Sequence, residues 1–469
     1  MTEKLDAGTV GRDIVRYGTA IFLTVALGVV QLFVIPRRVD MATYGAYRLF
    51  LVYAAYVGIL HFGLADGAFL RWAGRPAGVI RHEWPHVAAW IVAIGVAVLV
   101  PAIVIGVFVA PVPRLYIISL AACALAVNVG TLTGYALQAA GDFRGAGRLT
   151  VLPSAFFVVV VLATPSYSAL GLIAASIGGS VIAAIVGALR LRQIGVAHPL
   201  PPETPTEPLG FRALIGGGLP VFGANLAANL SQFADRILVS VAVPVATFAL
   251  YGFASTVMVT SSSATQALSR VALSHAARRP VDGGERARFL GGFCDLIALG
   301  FGLAMAGVPL FEHLVARTLP LYVPALLIVR ALVLGAPFWV AIHVVLVGTL
   351  QSHGLVRRQF AIELGGLAVV VVVCGICLVR HTELWVVAAG ATSAAVVTWL
   401  AGVAIVKGLI DASAQPSGRF VVIITMQSVA LIVALTMVPG WIFQSLVYIA
   451  LAGVPTMVAG RAVRSHDWR

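Results

Sequence analysis

The sequence predicts an all-α integral membrane protein with about fourteen transmembrane helices. Three observations predict it. Of the 469 residues, 60% are apolar and only 10% charged, with a mean hydropathy of +1.00, whereas a water-soluble domain carries about 25% charged residues. Apolar runs of roughly 20 residues, each long enough to cross ~30 Å of hydrocarbon as a helix, recur along nearly the whole chain. The strand alternation of an outer-membrane barrel is absent, and in lipid a helix satisfies its own backbone hydrogen bonds where an open sheet cannot.

Apolar runs and their breakers place the spans at 17–35, 44–66, 87–109, 115–138, 149–164, 168–190, 214–240, 246–273, 289–310, 321–350, 360–379, 384–406, 420–437 and 441–459. The fifth and sixth are parted only by Thr164-Pro165-Ser166 and the last two by Pro439-Gly440; twelve spans is the alternative count. The opening stretch MTEKLDAGTVGRDIVRYG has acids and no cleavage pattern, so the first span is expected to be a membrane helix and not a removable signal peptide. Residues 195–211, GVAHPLPPETPTEPLGF, are rich in Pro and polar residues and read as a linker. The expected organisation is an N-terminal lobe over 1–194 (spans 1–6), a cytoplasmic linker over 195–211, a C-terminal lobe over 212–408 (spans 7–12), and spans 13 and 14 with a cytoplasmic tail over 409–469.

The net charge of +13 does not point to nucleic acid, because the excess sits in short loops between apolar runs. With the N-terminus inside, alternate loops hold 22 Lys and Arg on the cytoplasmic side, from Lys4 to Arg469, against five on the outer side: Arg37, Arg38, Arg114, Arg317 and Arg380. An odd number of spans scrambles that contrast. Both termini are therefore expected in the cytoplasm. The cysteines Cys123, Cys294, Cys374 and Cys377 lie inside apolar segments and read as small apolar residues; neither a metal nor a cofactor is expected.

The two sides of the linker resemble one another. Met41 opens MATYGAYRLFLVYAAY and Val245 opens VATFALYGFASTVMVT; aligning Tyr44-Gly45 with Tyr251-Gly252 sets an offset of 207. Leu137-Gln138 pairs with Leu350-Gln351 at an offset of 213. Each offset crosses six spans, an even number, so the lobes share one orientation as a parallel repeat. Two such lobes about a central site are the architecture of alternating access. The last two spans lie outside the repeat.

Ionisable groups in hydrocarbon are costly and face a bundle interior or a wet cavity. In the seventh span Asn225, Asn229, Gln232 and Arg236 recur at spacings of four, three and four, which puts them on one helix face beside Asp235. The eighth span adds Thr256, Thr260, Ser263 and Arg270, with Gln266 nearby. The second span carries Arg48 and Asp66 eighteen residues apart, hence on the same helix face and about 27 Å apart along the axis, with Tyr53, Tyr56 and His61 between. Arg330 and His343 fall in the tenth span, and Glu363 near the start of the eleventh. Singly, each fits a structural role such as snorkelling or helix–helix contact. As a set, an arginine-biased interior suits an anion, and guanidinium suits phosphate.

These segments resemble a family. VIPRRVDMATYGAYRLF followed by HFGLADGAFLRWAG, then GLPVFGANLAANLSQFADRILVS, ALYGFAS and LQAAGDFRGAG are similar, in order and spacing, to the polysaccharide and O-antigen flippases of the Wzx type. Those belong to the multidrug/oligosaccharidyl-lipid/polysaccharide exporter superfamily. The resemblance implies movement of a polyprenyl-pyrophosphate-linked repeat unit across the bacterial cytoplasmic membrane. It makes Arg48, Asn225, Asn229, Gln232, Arg236, Arg270 and Arg330 candidates for substrate contact. Asp66, Asp235 and Glu363 become candidates for ion coupling. Spans 13 and 14 would hold the lipid tail. Implied partners are membrane lipids, the lipid-linked oligosaccharide, a polysaccharide polymerase and a chain-length regulator, with no nucleic acid.

Two rivals share the superfamily: a multidrug cation antiporter, which usually has twelve spans and an acidic cavity, and a lipid II flippase. A third is a membrane polymerase or transferase. No loop DxD or HxxxxD motif and no Walker A sequence appears, so no enzyme activity is expected.

Overall fold

A computed structural model describes residues 7–73, 75–109, 114–197, 210–276, 283–347, 350, 355–407 and 418–465; the side chains of 7–17, 102, 105–107, 109, 114, 261–293, 296, 344, 407, 418–419 and 458–465 lie outside the description. The described residues form sixteen α-helices and no strand. In the first part of the chain these are α1 (Ala7–Arg38), α2 (Met41–Val57), α3 (Leu64–Trp72), α4 (Ala77–Val109), α5 (Arg114–Ala139), α6 (Phe143–Ala163) and α7 (Ala169–Ala197). Then come α8 (Phe211–Ala242), α9 (Val245–Ala276), α10 (Gly283–Ala306), α11 (Val308–Thr318) and α12 (Ala325–Ala341). The chain ends with α13 (Val356–Val379), α14 (Leu384–Lys407), α15 (Gly418–Met437) and α16 (Trp441–Ser465).

Among the described residues nine helices are long and apolar enough to cross a membrane, or ten if α10 and α11, bent by 41° at their junction, count as one span. Three shorter apolar helical stretches, Val245–Thr260, Ala325–Ala341 and Trp441–Met457, also occur among the described residues. Large apolar side chains stand outward along these helices, Phe22 at 72% exposure and Phe108 at 81% among them. Such a surface belongs in lipid; in water it would be an aggregation patch. The chain is a multi-pass membrane protein.

Helix starts recur at similar separations along the chain, although α2 (17 residues) and α9 (32 residues) differ in length. Helices α1 and α8 each run 32 residues, starting at 7 and 211, and α2 and α9 start at 41 and 245. Both pairs are 204 residues apart. The starts of α6 and α13, at 143 and 356, are 213 apart.

Local chemistry sets several ends. Asp40 caps α2, accepting from the Thr43 amide (2.8 Å) and hydroxyl (2.9 Å); both bonds hold its carboxyl below the ordinary carboxylate range. Asp142 caps α6 through the Gly145 amide (2.9 Å) and also accepts from Arg190 Nε of α7 (2.8 Å). Arg38, at the end of α1, donates to the Val161 and Thr164 carbonyls at the end of α6. We expect Asp40→Ala to lower unfolding stability in detergent by about 1 kcal/mol, read by urea or thermal titration, with Asp40→Asn retaining most of it.

One expectation needs correction. The second span is not one helix: α2 stops at Val57, the chain turns through Gly58–Gly63, and α3 begins at Leu64. Phe62 (φ 46°) and Gly63 (φ 82°) lie in the left-handed region, which a continuing helix cannot include. Arg48 and Asp66 therefore share no helix, and the face and spacing expected from one do not apply. The tenth span, expected over 321–350, is α12 followed by a π-helical turn at Ile342–Leu346 that carries His343.

The chain divides into two compact units, Met1–Leu226 and Ala227–Arg469, with the division inside α8. In the first unit α6 packs on α1 and α7, and α5 on α4 and α7. One core cluster joins Leu64, Ala65, Ala68 and Trp72 of α3 to Ile80 and Val87 of α4 and Leu132 and Ala136 of α5. In the second unit α12 packs on α9 and α14, and α13 on α14. The C-terminal pair is built into this unit: α15 and α16 pack on each other and on α10. Gln427 of α15 donates to the Ala298 carbonyl (3.2 Å) and to Thr456 Oγ1 of α16 (3.0 Å), and the Tyr448 hydroxyl donates to the Gly302 carbonyl (3.1 Å). Polar bonds between helices hold where apolar burial gives little drive, because lipid is as apolar as leucine.

Candidate functional site

In the first unit the distinctive groups gather on α2 and at its break. Tyr44 and Tyr47 are buried, and the Tyr47 ring stacks on Phe157 of α6 at 5.7 Å. Arg48 lies one turn beyond Tyr44. Its Nε donates to the Tyr44 hydroxyl (2.8 Å), and its guanidinium stands 4.9 Å from the Tyr44 ring and 5.7 Å from the Tyr47 ring. Hydrogen bond and cation–π attraction together fix the head group.

The break after α2 is well supported. Asn128 of α5 donates to the Val57 carbonyl (3.0 Å), one of those freed at the helix end, and to the Ala124 carbonyl (2.8 Å) of its own helix. The Gly63 amide donates to His61 Nδ1 (3.2 Å), and Asp66 Oδ2 lies 3.8 Å from the same nitrogen. Both side chains are buried, and the His61 ring meets Phe222 of α8 edge-on at 5.8 Å. A Cβ at Gly67 would stand 1.9 Å from the Leu214 carbonyl oxygen, and one at Gly218 would stand 1.9 Å from the Gly63 carbonyl oxygen. Backbone touches backbone here, where α3 crosses the first half of α8, and only glycine fits.

In the second unit α8 supplies a buried polar edge: Ser231, Gln232, Asp235 and Arg236. Tyr251 of α9 donates to Asp235 Oδ2 (2.5 Å), and Ser231 donates to Glu363 Oε2 of α13 (3.3 Å). His343 Nδ1 lies 4.0 Å from Glu363 Oε1. The Arg236 guanidinium sits 4.3 Å from the Phe233 ring, with Nη2 3.7 Å from Met258 Sδ. Asp235 and Glu363, predicted as ion-coupling groups, are thus both brought into the interior of one unit. Asn225 is half-buried and Asn229 exposed.

Arg330 has a different environment. Its Nε and Nη2 donate to the two oxygens of Glu312 on α11, each at 2.6 Å. The side chain of Arg270, with those of Ser263 and Gln266, lies outside the described residues. Sequence reading missed Glu312, and also Glu83, which accepts from Arg71 (2.8 Å) and Trp72 Nε1 (2.9 Å). The signal available for both was the single acid of its helix, Glu83 in α4 and Glu312 in α11.

No family model matches the chain, and no curated protein does. Solved structures do. The lipid II flippase MurJ, in an inward closed conformation, is similar with a TM-score of 0.71 at 13% identity, over 95% of this chain and 98% of that one. A multidrug resistance MATE family transporter of the MOP superfamily, inward-facing, matches with a TM-score of 0.60 at 16% identity, over 84% and 95%. A MOP superfamily transporter from Pyrococcus furiosus, described by the reverse polarity of its binding pocket, matches with a TM-score of 0.56 at 16% identity, over 87% and 99%. At these identities the likeness is one of fold. The chain has the fold of the MOP superfamily transporters.

Proposed function

We propose that this chain is an alternating-access flippase. It carries a polyprenyl-pyrophosphate-linked oligosaccharide across the bacterial cytoplasmic membrane for surface polysaccharide assembly, with both termini in the cytoplasm. The observation that carries the reading is the extent of the fold. The match to a flippase takes in 95% of the chain, against 84% and 87% for the two transporters. That difference is about the size of α15 and α16, the pair held to α10 by Gln427 and Tyr448. The excess of arginine over acid in the sequence suits an anionic cargo better than a cationic drug.

The mechanism follows from desolvation. A sugar and a pyrophosphate crossing bare hydrocarbon would lose their hydrogen bonds to water. Passing them through a hydrated protein interior avoids that loss while the polyprenyl tail stays in lipid. The groups offered to the anionic cargo are Arg48 in the first unit and Arg236 with Gln232 in the second; Asp66, Asp235 and Glu363 are the groups offered to the coupling ion. A polymerase and a chain-length regulator take up the product.

A ligand that binds only the folded chain stabilises it by RT ln(1 + L/Kd), with L the free ligand concentration, and so raises its melting temperature. We expect undecaprenyl pyrophosphate to stabilise the purified protein and lipophilic cations such as ethidium to leave it unchanged. Stabilisation by ethidium alone would favour the multidrug antiporter.

A further inference from the structure

Two histidines stand one turn apart near the start of α4. His82 and His86 are both exposed, with ring centroids 5.9 Å apart and planes tilted by 40°. A spacing of four on a helix puts both rings on one face. The tautomer of the second ring is fixed by the backbone. His86 Nδ1 lies 3.3 Å from the His82 carbonyl oxygen, which can only accept, so in the neutral ring Nδ1 carries the proton and Nε2 the lone pair. A carbonyl behind a histidine ligand commonly orients it for a metal in this way. Among the described residues no hydrogen bond occupies Nε2 of His86 or either nitrogen of His82.

The base under the pair is firm. Glu83 and Val87, each one residue further on, are buried, the first against Arg71 and Trp72 and the second in the core cluster with Leu132. Pro85 lies between the histidines and has no N–H, so the Arg81 carbonyl lacks its usual helical partner. A cation joining the two rings would bridge the turn that the proline weakens. Ions can also reach it. Among the described residues the large apolar side chains that α4 exposes begin at Val92, about 9 Å beyond His86 along the axis. Trp90 packs edge-on against Phe211 at 5.2 Å, and tryptophan is enriched where a helix leaves the hydrocarbon. The pair therefore stands at the water side of that boundary.

We infer that His82 and His86 form a two-imidazole binding site for a divalent transition-metal ion of the zinc and copper class. Two imidazoles on one tetrahedral ion, each nitrogen about 2.1 Å from the metal, set ring centroids about 5 Å apart; a small side-chain rotation spans the difference. Imidazole suits such ions, whereas Mg2+ and Ca2+ take oxygen ligands. Among the described residues no group of three or more His, Cys, Asp or Glu gathers, so water fills the remaining positions. The site is separate from the groups offered to the cargo and stands or falls independently of the flippase reading.

The test is titration of Zn2+ and Cu2+ into the purified, untagged full chain in detergent, read by calorimetry and, for Cu2+, by electron paramagnetic resonance. His82→Ala and His86→Ala are each expected to weaken the tightest site about tenfold or more, because the second ring of a chelate binds at high effective concentration. The copper spectrum of the wild type should show two nitrogen ligands in that site. Zn2+ should raise the melting temperature of the wild type more than that of either variant, and Mg2+ should do nothing. Both side chains are exposed, so the metal-free melting temperature should be the same in all three proteins. Wild-type affinity in either variant overturns the site, as does a copper spectrum with a single nitrogen or displacement of Zn2+ by an equal concentration of Mg2+.

Discussion

Gly67→Ala is expected to destabilise the protein by about 3 kcal/mol, and Gly218→Ala by a similar amount. The added methyl group would stand 1.9 Å from a backbone carbonyl oxygen in either case, Leu214 for the first and Gly63 for the second. A side chain can rotate away from such a clash; a carbonyl in a helix can move only if the helix moves. The crossing of α3 and α8 must then open by an ångström or more, which loosens the cluster of Leu64, Ala68, Trp72 and Leu214 beneath it. Gly130→Ala and Gly134→Ala on α5 are the matched controls, since a Cβ there meets nothing within 4 Å. These should be neutral or stabilising by up to about 1 kcal/mol. Melting temperature and yield of monodisperse protein in detergent read the difference. A wild-type melt for both Gly67→Ala and Gly218→Ala would show that the helices do not cross this closely.

Glu83→Ala carries the second large effect, a loss of about 3 kcal/mol. Glu83 is 4% exposed and serves Arg71 Nε and Nη2 as well as Trp72 Nε1. Removing the carboxylate takes the acceptor from three donors at once, in a place where water replaces it poorly. Glu83→Gln keeps one oxygen and should lose roughly half as much. Replacing the pair together, Arg71→Met with Glu83→Leu, should recover most of the stability, since two apolar side chains need no partner. If Glu83→Ala alone melts like wild type, the pair contributes no net stability.

Hydropathy made the spans legible, because chain length and bilayer thickness constrain each other so tightly. The repeat read from Tyr44-Gly45 and Leu137-Gln138 has a parallel in the helix starts, which recur 204 residues apart for α1 with α8 and α2 with α9 and 213 apart for α6 with α13. The break in the second span was not. In VGILHFG the residues are nearly as apolar as their neighbours, and hydropathy is blind to the backbone angles of Phe62 and Gly63. Ion pairs were also hidden. Glu312 and Arg330 are 18 residues apart, and Glu83 and Arg71 are 12 apart, on different helices in each case. Only packing brings such partners together. Arg48 and Tyr44 are different, because a spacing of four on a helix makes them neighbours by geometry; that pair could have been read from the sequence.

Transport itself decides the central claim. Proteoliposomes holding the full chain and a polyprenyl-pyrophosphate-linked oligosaccharide can be probed with a membrane-impermeant glycosidase added outside. The account predicts that the protected, inner-leaflet half of the glycan becomes accessible over time with wild-type protein, and that Arg48→Glu slows this to the protein-free rate. An inner-leaflet pool that stays protected with wild-type protein, in vesicles where the protein is folded and correctly inserted, would contradict it.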